Sequence, residues 1–411
     1  MTFLFVLLFF LVIDFYLFQA VLVASQHWSP LWRKLARYGF WVPTVLCAGA
    51  VLWWMLADPY KISSGMRNWI ITGLFATYFS KIFGILFLFA DDIQRGVRWV
   101  AGLFTGGGEP IGGKAIPRSE FLARAALIAT SVPFGTMAYG IISGAHDYRV
   151  RRVTINLPNL PKSFDGLKIG QISDIHSGSF FNKTAVKGGV NMLLREKPDM
   201  IFFTGDLVNN EAVEVKDYLE IFGKISAPLG VFSVTGNHDY GDYHRWPSLQ
   251  EKRANFRDLM EAHRLMGYDL LMNDHRIITQ GSGRIAVIGN ENWGGRGFSQ
   301  YGKLREAHSG TSEADVRLLL SHDPSHWDAQ VRPDFPDIDV MFAGHTHGFQ
   351  FGVEIGGFRW SPSQYAYKQW AGLYRQGKQY LYVNRGFGYL GYPGRIGMPP
   401  ELTIFELKRL S

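Results

Sequence analysis

The sequence predicts a four-helix N-terminal transmembrane region, residues 1–148, followed by an α/β domain over residues 149–411. Three observations carry that prediction. Four apolar stretches in the first part of the chain are each long enough to cross a bilayer, which takes about 20 residues of helix. From Val153 onward the pattern changes to short apolar runs that alternate with amphipathic stretches and turns. Several of those runs stop at glycine, carboxylate, amide or imidazole residues, and strand ends are where open α/β sheets place their chemistry.

The apolar stretches run from Phe3 to Val23, Gly39 to Leu56, Trp69 to Ala90 and Phe121 to Ile142. The first lacks a basic leading region and a cleavage site, so it reads as a retained helix and not as a signal peptide. Asp14 stands in its middle, either as a functional carboxylate or as a hydrogen-bond partner for a neighbouring helix. The net charge is +7, from 42 Lys and Arg against 35 Asp and Glu. Much of the positive charge flanks the apolar stretches, and no basic run or motif of nucleic-acid type appears. The expected partner is therefore the lipid bilayer and not a nucleic acid. Cys47, the single cysteine, lies in the second stretch, which excludes disulfides and thiolate metal sites.

Lys and Arg counts set the orientation. Arg33, Lys34 and Arg37 follow the first stretch, and Arg95, Arg98, Lys114 and Arg118 follow the third. The opposite side holds Lys61 and Arg67, then Arg149, Arg151 and Arg152. The first set is expected to face the cytoplasm, which leaves the catalytic domain on the periplasmic or extracellular side. Within residues 92–104, Ile93, Val97, Val100 and Phe104 share one helical face, the pattern of a short helix lying in the interface. The TGGGEPIGG that follows reads as a flexible linker. It has no Gly-Lys-Ser/Thr ending and no preceding strand, as a phosphate loop would require.

In the second part, LKIGQIS, MIFFTG, VFSVTG, RIAVIG, VRLLLSH and DVMFAG each read as a buried strand that ends in a turn. Asp174 and His176 follow the first of these, and Asp206 follows the second. Asn237, His238 and Asp239 follow the third. His322 ends the fifth, and His345 and His347 follow the sixth. Five strands thus deliver carboxylates, one amide and several imidazoles to what is expected to be one sheet edge.

Oxygen and imidazole donors without thiolate suit manganese, iron or zinc. Seven such donors are about what two divalent ions need when one carboxylate bridges them. Two ions about 3.5–4 Å apart activate water and clamp a phosphoryl group for in-line displacement. Asp-X-His alone recurs by chance about once in a chain of this length. The ordered set of five motifs does not.

Ordered as DIH, GDLVNN, GNHD, SHDP and GHTH, these residues resemble the calcineurin-like metallophosphoesterase superfamily, over roughly Val153 to Leu407. The late segment LYVNRGFGYLGYPGRIGMPPELTIFEL resembles the C-terminal part of its bacterial membrane-associated subgroup. The resemblance implies two facing β-sheets flanked by helices, with a dimetal site at the strand ends. By matched motif, Asp174, His176 and His347 would hold one ion, and Asn237, His322 and His345 the other, with Asp206 between them. His238 would face the scissile phosphate as general acid or transition-state stabiliser. Asp239 would orient the His238 ring, or else cap the next turn.

The chain departs from the pattern in two places. Phe349 stands where subgroup members often carry glycine, so its ring is expected to narrow the pocket, contact an acyl chain or pack. The segment RSEFLARAALIATSVPFG resembles the signal segment of relatives exported by the twin-arginine route. Pro117 stands where the first arginine would be, and the resemblance agrees with a fourth helix running from inside to outside. Asn290, Glu291, Asn292, Trp293 and Arg296, which follow another strand, and Arg385 and Arg395, in glycine-rich turns, are candidates to lean over a phosphate. The aromatic segment from Trp360 to Tyr380 is either a belt on lipid headgroups or a packed loop.

The expected function is a membrane-embedded dinuclear phosphohydrolase acting on a lipid or lipid-linked phosphate. One alternative is a cytosol-facing enzyme that resembles UDP-diacylglucosamine hydrolases of lipid A synthesis. The other is a non-catalytic membrane scaffold.

Overall fold

The computed structural model describes residues 2–56, 64–104 and 118–410. Lys61, Lys114, Pro117 and the glycine-rich linker lie outside the described residues. The chain divides into two units, Met1–Tyr139 and Gly140–Ser411.

Four long helices account for the first unit: Thr2–Ala24 (α1), Pro30–Leu56 (α2), Ser64–Phe104 (α3) and Glu120–Ile142 (α4), whose last turn enters the second unit. All four are long and apolar enough to cross a membrane. The helix expected at 92–104 is not separate. Ile93, Val97, Val100 and Phe104 continue α3 without a break, because its 41 residues hold no proline to interrupt the hydrogen-bond ladder. At 1.5 Å per residue α3 reaches about 60 Å, twice the hydrocarbon thickness of a bilayer. Asp14 is fully buried and takes the partnered role: it accepts from the Tyr78 hydroxyl at 3.0 Å and pairs with Lys81, both on α3. A carboxylate buried among apolar side chains is costly unless paired in this way.

The second unit holds two six-stranded sheets and a separate hairpin. The first sheet is built from Arg149–Leu157 (β1), Lys168–Ile172 (β2), Met200–Phe203 (β3), Val231–Ser233 (β4), Asp269–Leu270 (β5) and Glu401–Arg409 (β14), in the order β1-β14-β2-β3-β4-β5. The second has the order β12-β13-β9-β8-β7-β6. Its strands are Asp274–Gln280 (β6), Gly283–Gly289 (β7), Val316–Leu320 (β8), Val340–Ala343 (β9), Gly372–Gln376 (β12) and Gln379–Val383 (β13). Val353–Ile355 (β10) and Phe358–Trp360 (β11) pair only with each other. Neighbours run parallel from β2 to β5 and from β7 through β8 and β9 to β13, so their C-terminal ends collect along one side of each sheet.

Strand alternation sorts the core into layers. Met200 and Phe202 of β3 join Leu318, Leu320, Val340 and Phe342 in a cluster shared by both sheets. Ile201 and Phe203 point the other way, onto Val186, Val190 and Leu193 of Lys183–Arg195 (α5) and, past the short turn Leu219–Phe222 (α6), onto Leu259 and Ala262 of Leu249–Leu265 (α7). Leu319, Met341 and Ala343 face outward from the second sheet onto Trp327 and Val331. This is a pair of facing sheets with helices outside, the fold class expected.

His263 of α7 is fully buried against Phe203, with Nδ1 3.0 Å from the Ser233 hydroxyl. Burial pulls its pKa down to about 3. The folded value lies below the unfolded value near 6.5. The neutral ring therefore contributes stability that is complete above pH 6.5 and is lost as the pH falls. Between pH 7 and 5 that loss is about 2 kcal/mol. Thermal unfolding in detergent at the two pH values is expected to show His263→Gln, which keeps a hydrogen-bonding side chain but cannot titrate, losing less stability than the parent by about that amount.

Candidate metal centre

Five of the expected ligands sit in turns that leave the strands with left-handed backbone: Asp174 at φ 50°, His176 at 49°, Asp206 at 60°, His345 at 72° and His347 at 50°. Side chains other than glycine, asparagine and aspartate seldom adopt this region, and it costs of order 1–3 kcal/mol per residue. It persists here because backbone bonds tie the turns together. Asp174 N–H donates to Gly205 O, and His176 N–H to Asp206 O. Two glycines packed against the carboxylates admit no side chain. A Cβ on Gly236 would lie 2.2 Å from Asp206 Oδ1, and one on Gly344 2.1 Å from Asp174 Oδ2.

The polar side chains converge from both sheets, which corrects the expectation of a single sheet edge. β2, β3 and β4 of the first sheet deliver Asp174, His176, Asp206, Asn237 and His238, while β8 and β9 of the second deliver His322, His345 and His347. Asp174, His176 and His347 present ligand atoms within 4.8 Å of one another, and so do Asp206, His322 and His345. His347 Nε2 lies 3.2 Å from Asp174 Oδ1 and 3.0 Å from His176 Nε2. Asp206 Oδ2 stands between the two groups, 3.5 Å from His176 Nε2 and 3.1 Å from His322 Nε2.

The donor set fits a pair of divalent ions. Asn237 Oδ1 is buried without a hydrogen-bond partner among the described residues, and His322 Nε2 is buried against the Asp206 carboxylate. An orphaned atom of the first kind is costly unless something outside the chain meets it. His322 Nδ1 donates to the Thr204 carbonyl at 2.7 Å, which turns Nε2 towards the carboxylates. Burial alone would pull the ring's pKa down, but Asp206 and then Asp174 outweigh it and hold it up to about 10. A proton there answers the same negative field that a metal cation would. Asp174 and Asp206 sit well below the usual carboxylate range: burial opposes ionisation, and the surrounding imidazoles overcome it. Oxygen and nitrogen donors without sulfur suit manganese, zinc or iron.

Asp239 does not meet the His238 ring. Its Oδ2 accepts the N–H groups of Asp206 at 2.9 Å and Gly236 at 2.8 Å, and its Oδ1 those of Leu207 at 2.8 Å and Val208 at 3.3 Å. It therefore clamps the Asp206 turn onto the Asn237 turn. The His238 ring is oriented instead by Asn209, whose carbonyl accepts from Nδ1 at 2.8 Å. Asn209 also places Oδ1 3.1 Å from His176 Nδ1, so one residue sets two imidazoles. It lies in the GDLVNN segment already singled out, where the second sheet-end motif held the signal. Tyr367, with its hydroxyl 2.8 Å from His345 Nε2, and Tyr243, which accepts from Asn237 Nδ2 at 3.0 Å, carry no sequence signal of this kind.

The outlying candidates divide differently from expectation. Arg385 is buried and pairs with Glu401 at 2.5 Å and Glu354 at 3.1 Å, so it serves the core and not the phosphate. Arg395 is buried too and donates to the carbonyls of Gly386, Gly388 and Met398, with Nη2 3.3 Å from His347 Nδ1. It backs a ligand instead of facing the opening. Asn290 donates to the Glu291 carbonyl, and the Glu291 carboxylate accepts from Tyr240 and Asn273. Asn292 is buried and donates to the Ser299 carbonyl, and Trp293 stacks on His326. Among the described residues no hydrogen bond joins the side chains of Asn290, Glu291, Asn292 or Trp293 to the ligand candidates. The Arg296 side chain lies outside the described residues.

A buried double cluster of carboxylates and imidazoles at the strand ends of facing sheets defines a metallophosphoesterase. Comparison with known proteins gives the same class. Residues 167–349 match the family model described as "Calcineurin-like phosphoesterase", and residues 1–145 match "Probable Calcineurin-like phosphoesterase, transmembrane domain". The chain is 30% identical over 292 residues to the uncharacterized metallophosphoesterase YkuE of Bacillus subtilis, covering 67% of this chain and 94% of that one. It is 28% identical over 295 residues to the phosphodiesterase YaeI of Escherichia coli, covering 71% of this chain and 99% of YaeI. A transmembrane protein with metallophosphoesterase domain from Danio rerio is 30% identical over 294 residues, covering 69% of this chain and 62% of the fish protein. The chain belongs to the calcineurin-like metallophosphoesterase family, and it is a metal-dependent phosphoesterase with a transmembrane region.

The two possible roles of Asp239 predict different phenotypes. Asp239→Asn turns an amide nitrogen towards buried N–H groups and is expected to cost about 2–4 kcal/mol, to shift Asp206 and to lower the metal bound per chain. His238→Ala is expected to leave metal content unchanged. Elemental analysis of the two purified variants, with their unfolding curves, checks both.

Proposed function

We propose that this chain hydrolyses phosphoester or pyrophosphate bonds of lipids or lipid-linked phosphates at a dinuclear centre, with the catalytic unit on the periplasmic or extracellular side. The observation that carries the dinuclear reading is the position of Asp206 Oδ2 between two groups of buried nitrogen and oxygen donors. In this reading Asp174, His176 and His347 would hold one ion and Asn237, His322 and His345 the second, with the Asp206 carboxylate placed to serve both. Bound divalent ions supply Lewis acidity, which lowers the pKa of water and neutralises charge on a phosphoryl group.

The chain's own residues do the rest. His238 is half-buried beside the centre, its ring 5.0 Å from that of His176. With Nδ1 committed to the Asn209 carbonyl, Nε2 is the atom that meets the substrate and gives a proton to the departing oxygen. The His238 N–H donates to Asp206 Oδ1 at 2.9 Å, which couples the ring's position to the bridging carboxylate. The lipid substrate is supported by the tether: a site held on a membrane-spanning chain meets bilayer-resident phosphates at high effective concentration.

Detergent-solubilised protein, stripped of metal and then given manganese or zinc, is expected to hydrolyse bis-p-nitrophenyl phosphate or p-nitrophenyl phosphate only after metal is restored. Asp206→Ala is expected to lose both metal and turnover. His238→Ala is expected to keep its metal and lose turnover by about 10²–10⁴. Metal bound without turnover on these or on lipid phosphates would leave the scaffold reading. A second measurement addresses the side of the membrane. A C-terminal alkaline phosphatase fusion is expected to be active and a green fluorescent protein fusion dark, and the reverse would favour a cytosol-facing enzyme.

A further inference from the structure

The hairpin formed by β10 and β11 is amphipathic and forms a sheet by itself. Its register pairs Val353 with Trp360 and Ile355 with Phe358, while Glu354 pairs with Arg359. Residues paired across an antiparallel ladder share a face, so the four apolar side chains lie on one face and the two charged ones on the other. The charged face is used by the protein itself. Glu354 pairs with Arg151 and Arg385, and Arg359 donates to the Ala371 carbonyl and lies over the Trp370 ring.

The apolar face is left to the outside, with Ile355 73% and Phe358 63% exposed at the tip. Tyr365, 77% exposed, has its hydroxyl 3.4 Å from Trp360 Nε1, and Phe349, 56% exposed, precedes Val353 by four residues. Phe349 is also in the left-handed region, at φ 56°. A two-stranded hairpin is marginal in water even without such exposure, and an apolar face left open in this way marks an interaction surface.

Hydrogen bonds within the second unit point to the occupant. Ile396 N–H donates to Gln350 O at 2.8 Å, and Gly352 N–H donates to Ile396 O at 2.9 Å, which fixes the base of the hairpin. The neighbouring Arg395 donates its N–H to Gly140 O, in the last turn of α4, at 3.1 Å. The Arg395 carbonyl packs so closely on Gly144 that a Cβ there would lie 2.0 Å from it. The hairpin is thus rooted on the residues where the chain leaves its fourth membrane-spanning helix. From Gly352 to the tip is four residues, about 13 Å of strand.

We propose that the apolar face of the β10–β11 hairpin, with Phe349 and Tyr365, is a bilayer-contacting surface that seats in the interfacial lipid layer and holds the mouth of the metal centre at headgroup level. Phe349 lies two residues after the ligand candidate His347, and Tyr365 two before Tyr367, whose hydroxyl meets His345. Lipid contact at these side chains therefore falls within two residues of groups that meet the site. The contact surface stands whatever bond is cleaved. Its service to a bilayer-resident substrate rests on the lipid-phosphate reading.

Full-length protein in nanodiscs of phosphatidylcholine and phosphatidylglycerol tests it. In a Cys47→Ala background, single cysteines at Ile355→Cys, Phe358→Cys and, as a water-exposed control in the β6–β7 turn, Ser282→Cys are labelled with bimane. Brominated phosphatidylcholine is expected to quench positions 355 and 358 and to leave 282 unchanged. Equal behaviour at all three positions would overturn the proposal. So would cross-linking of two chains through position 355 without lipid quenching, which would assign the face to a second copy. The unlabelled double variant Ile355→Glu, Phe358→Glu is expected to keep bis-p-nitrophenyl phosphate turnover within about twofold. On phosphatidic acid in the same discs it is expected to lose about tenfold or more, the effective concentration that docking supplies. Quenching at 355 and 358 with no lipid phosphate cleaved by the parent would uphold the surface and fail the lipid-substrate reading. Lipid cleavage without quenching would do the opposite.

Discussion

Asp174 and Asp206 are fully buried at the ends of the adjacent strands β2 and β3, and their combined negative field is the constraint around which the second unit is arranged. Two like charges this close are tolerated only when donors surround them. The N–H of His345 reaches both oxygens of Asp174, at 2.9 and 3.1 Å, and the N–H of His238 reaches Asp206 Oδ1. To aim those donors the backbone accepts left-handed geometry at five of the expected ligands. Asp239 keeps the arrangement from relaxing. With four backbone N–H groups on one carboxylate, it holds the Asp206 and Asn237 turns at fixed separation while burial and the Asp206 charge push its own pKa up to about 7.

What could be read from the sequence follows from which forces are local. Strand positions were legible because continuous apolar runs such as MIFFT and DVMFA encode burial on both faces, and both became strands. The ligand set was legible because glycine and polar residues at strand ends break the apolar pattern abruptly. The division of those strands between two sheets was not, since each run is equally apolar whichever sheet it joins. Nor were the partners of Arg385, Arg395 and Asp239 legible. A charged side chain in a glycine-rich turn reads the same whether it faces solvent, substrate or a buried partner, and here the partners include distant positions such as Glu354, His347 and Asp206. The continuation of α3 through residues 92–104 was not legible for a related reason. A change from apolar to amphipathic pattern marks a change of environment and not the end of a helix.

Buried polar groups recur in the first unit under a harsher solvent. Asp14, Tyr78 and Lys81 pair inside the bundle, and Arg118 donates to Asp91 and Asp92 while Tyr16 donates to Asp92. In hydrocarbon the Asp14 cluster acts mainly as a register, since any rotation of one helix would leave a charge unpaired, while the Arg118 pairs tie the start of α4 to α3 on the side expected to face the cytoplasm. Close contact helps: a Cβ on Gly84 would lie 2.7 Å from the Ala126 carbonyl, so α3 and α4 approach at that point to a distance only glycine allows. The unit is thereby a specified bundle and not four independent anchors.

Phe349 joins the site's strain to its surroundings. A bulky residue at φ 56° costs about 1–2 kcal/mol relative to glycine, and in a buried position packing of the ring would repay that. Here the ring is more than half exposed, so little inside the chain repays it. Of the aromatic segment from Trp360 to Tyr380, Trp370 and Tyr380 are buried in the core, Trp360, Tyr367 and Tyr374 are half-buried, and Tyr365 is exposed. The unrepaid apolar surface thus includes residues 349–358, close in sequence to the ligand candidates, and the start of that segment. Strain without internal compensation, a hairpin with one greasy face and a hydrogen-bonded root on the end of a spanning helix have a common solution. Burial of the Ile355, Phe358 and Phe349 side chains in lipid, at about 25 cal/mol per Å² of apolar surface, exceeds the backbone cost several times over.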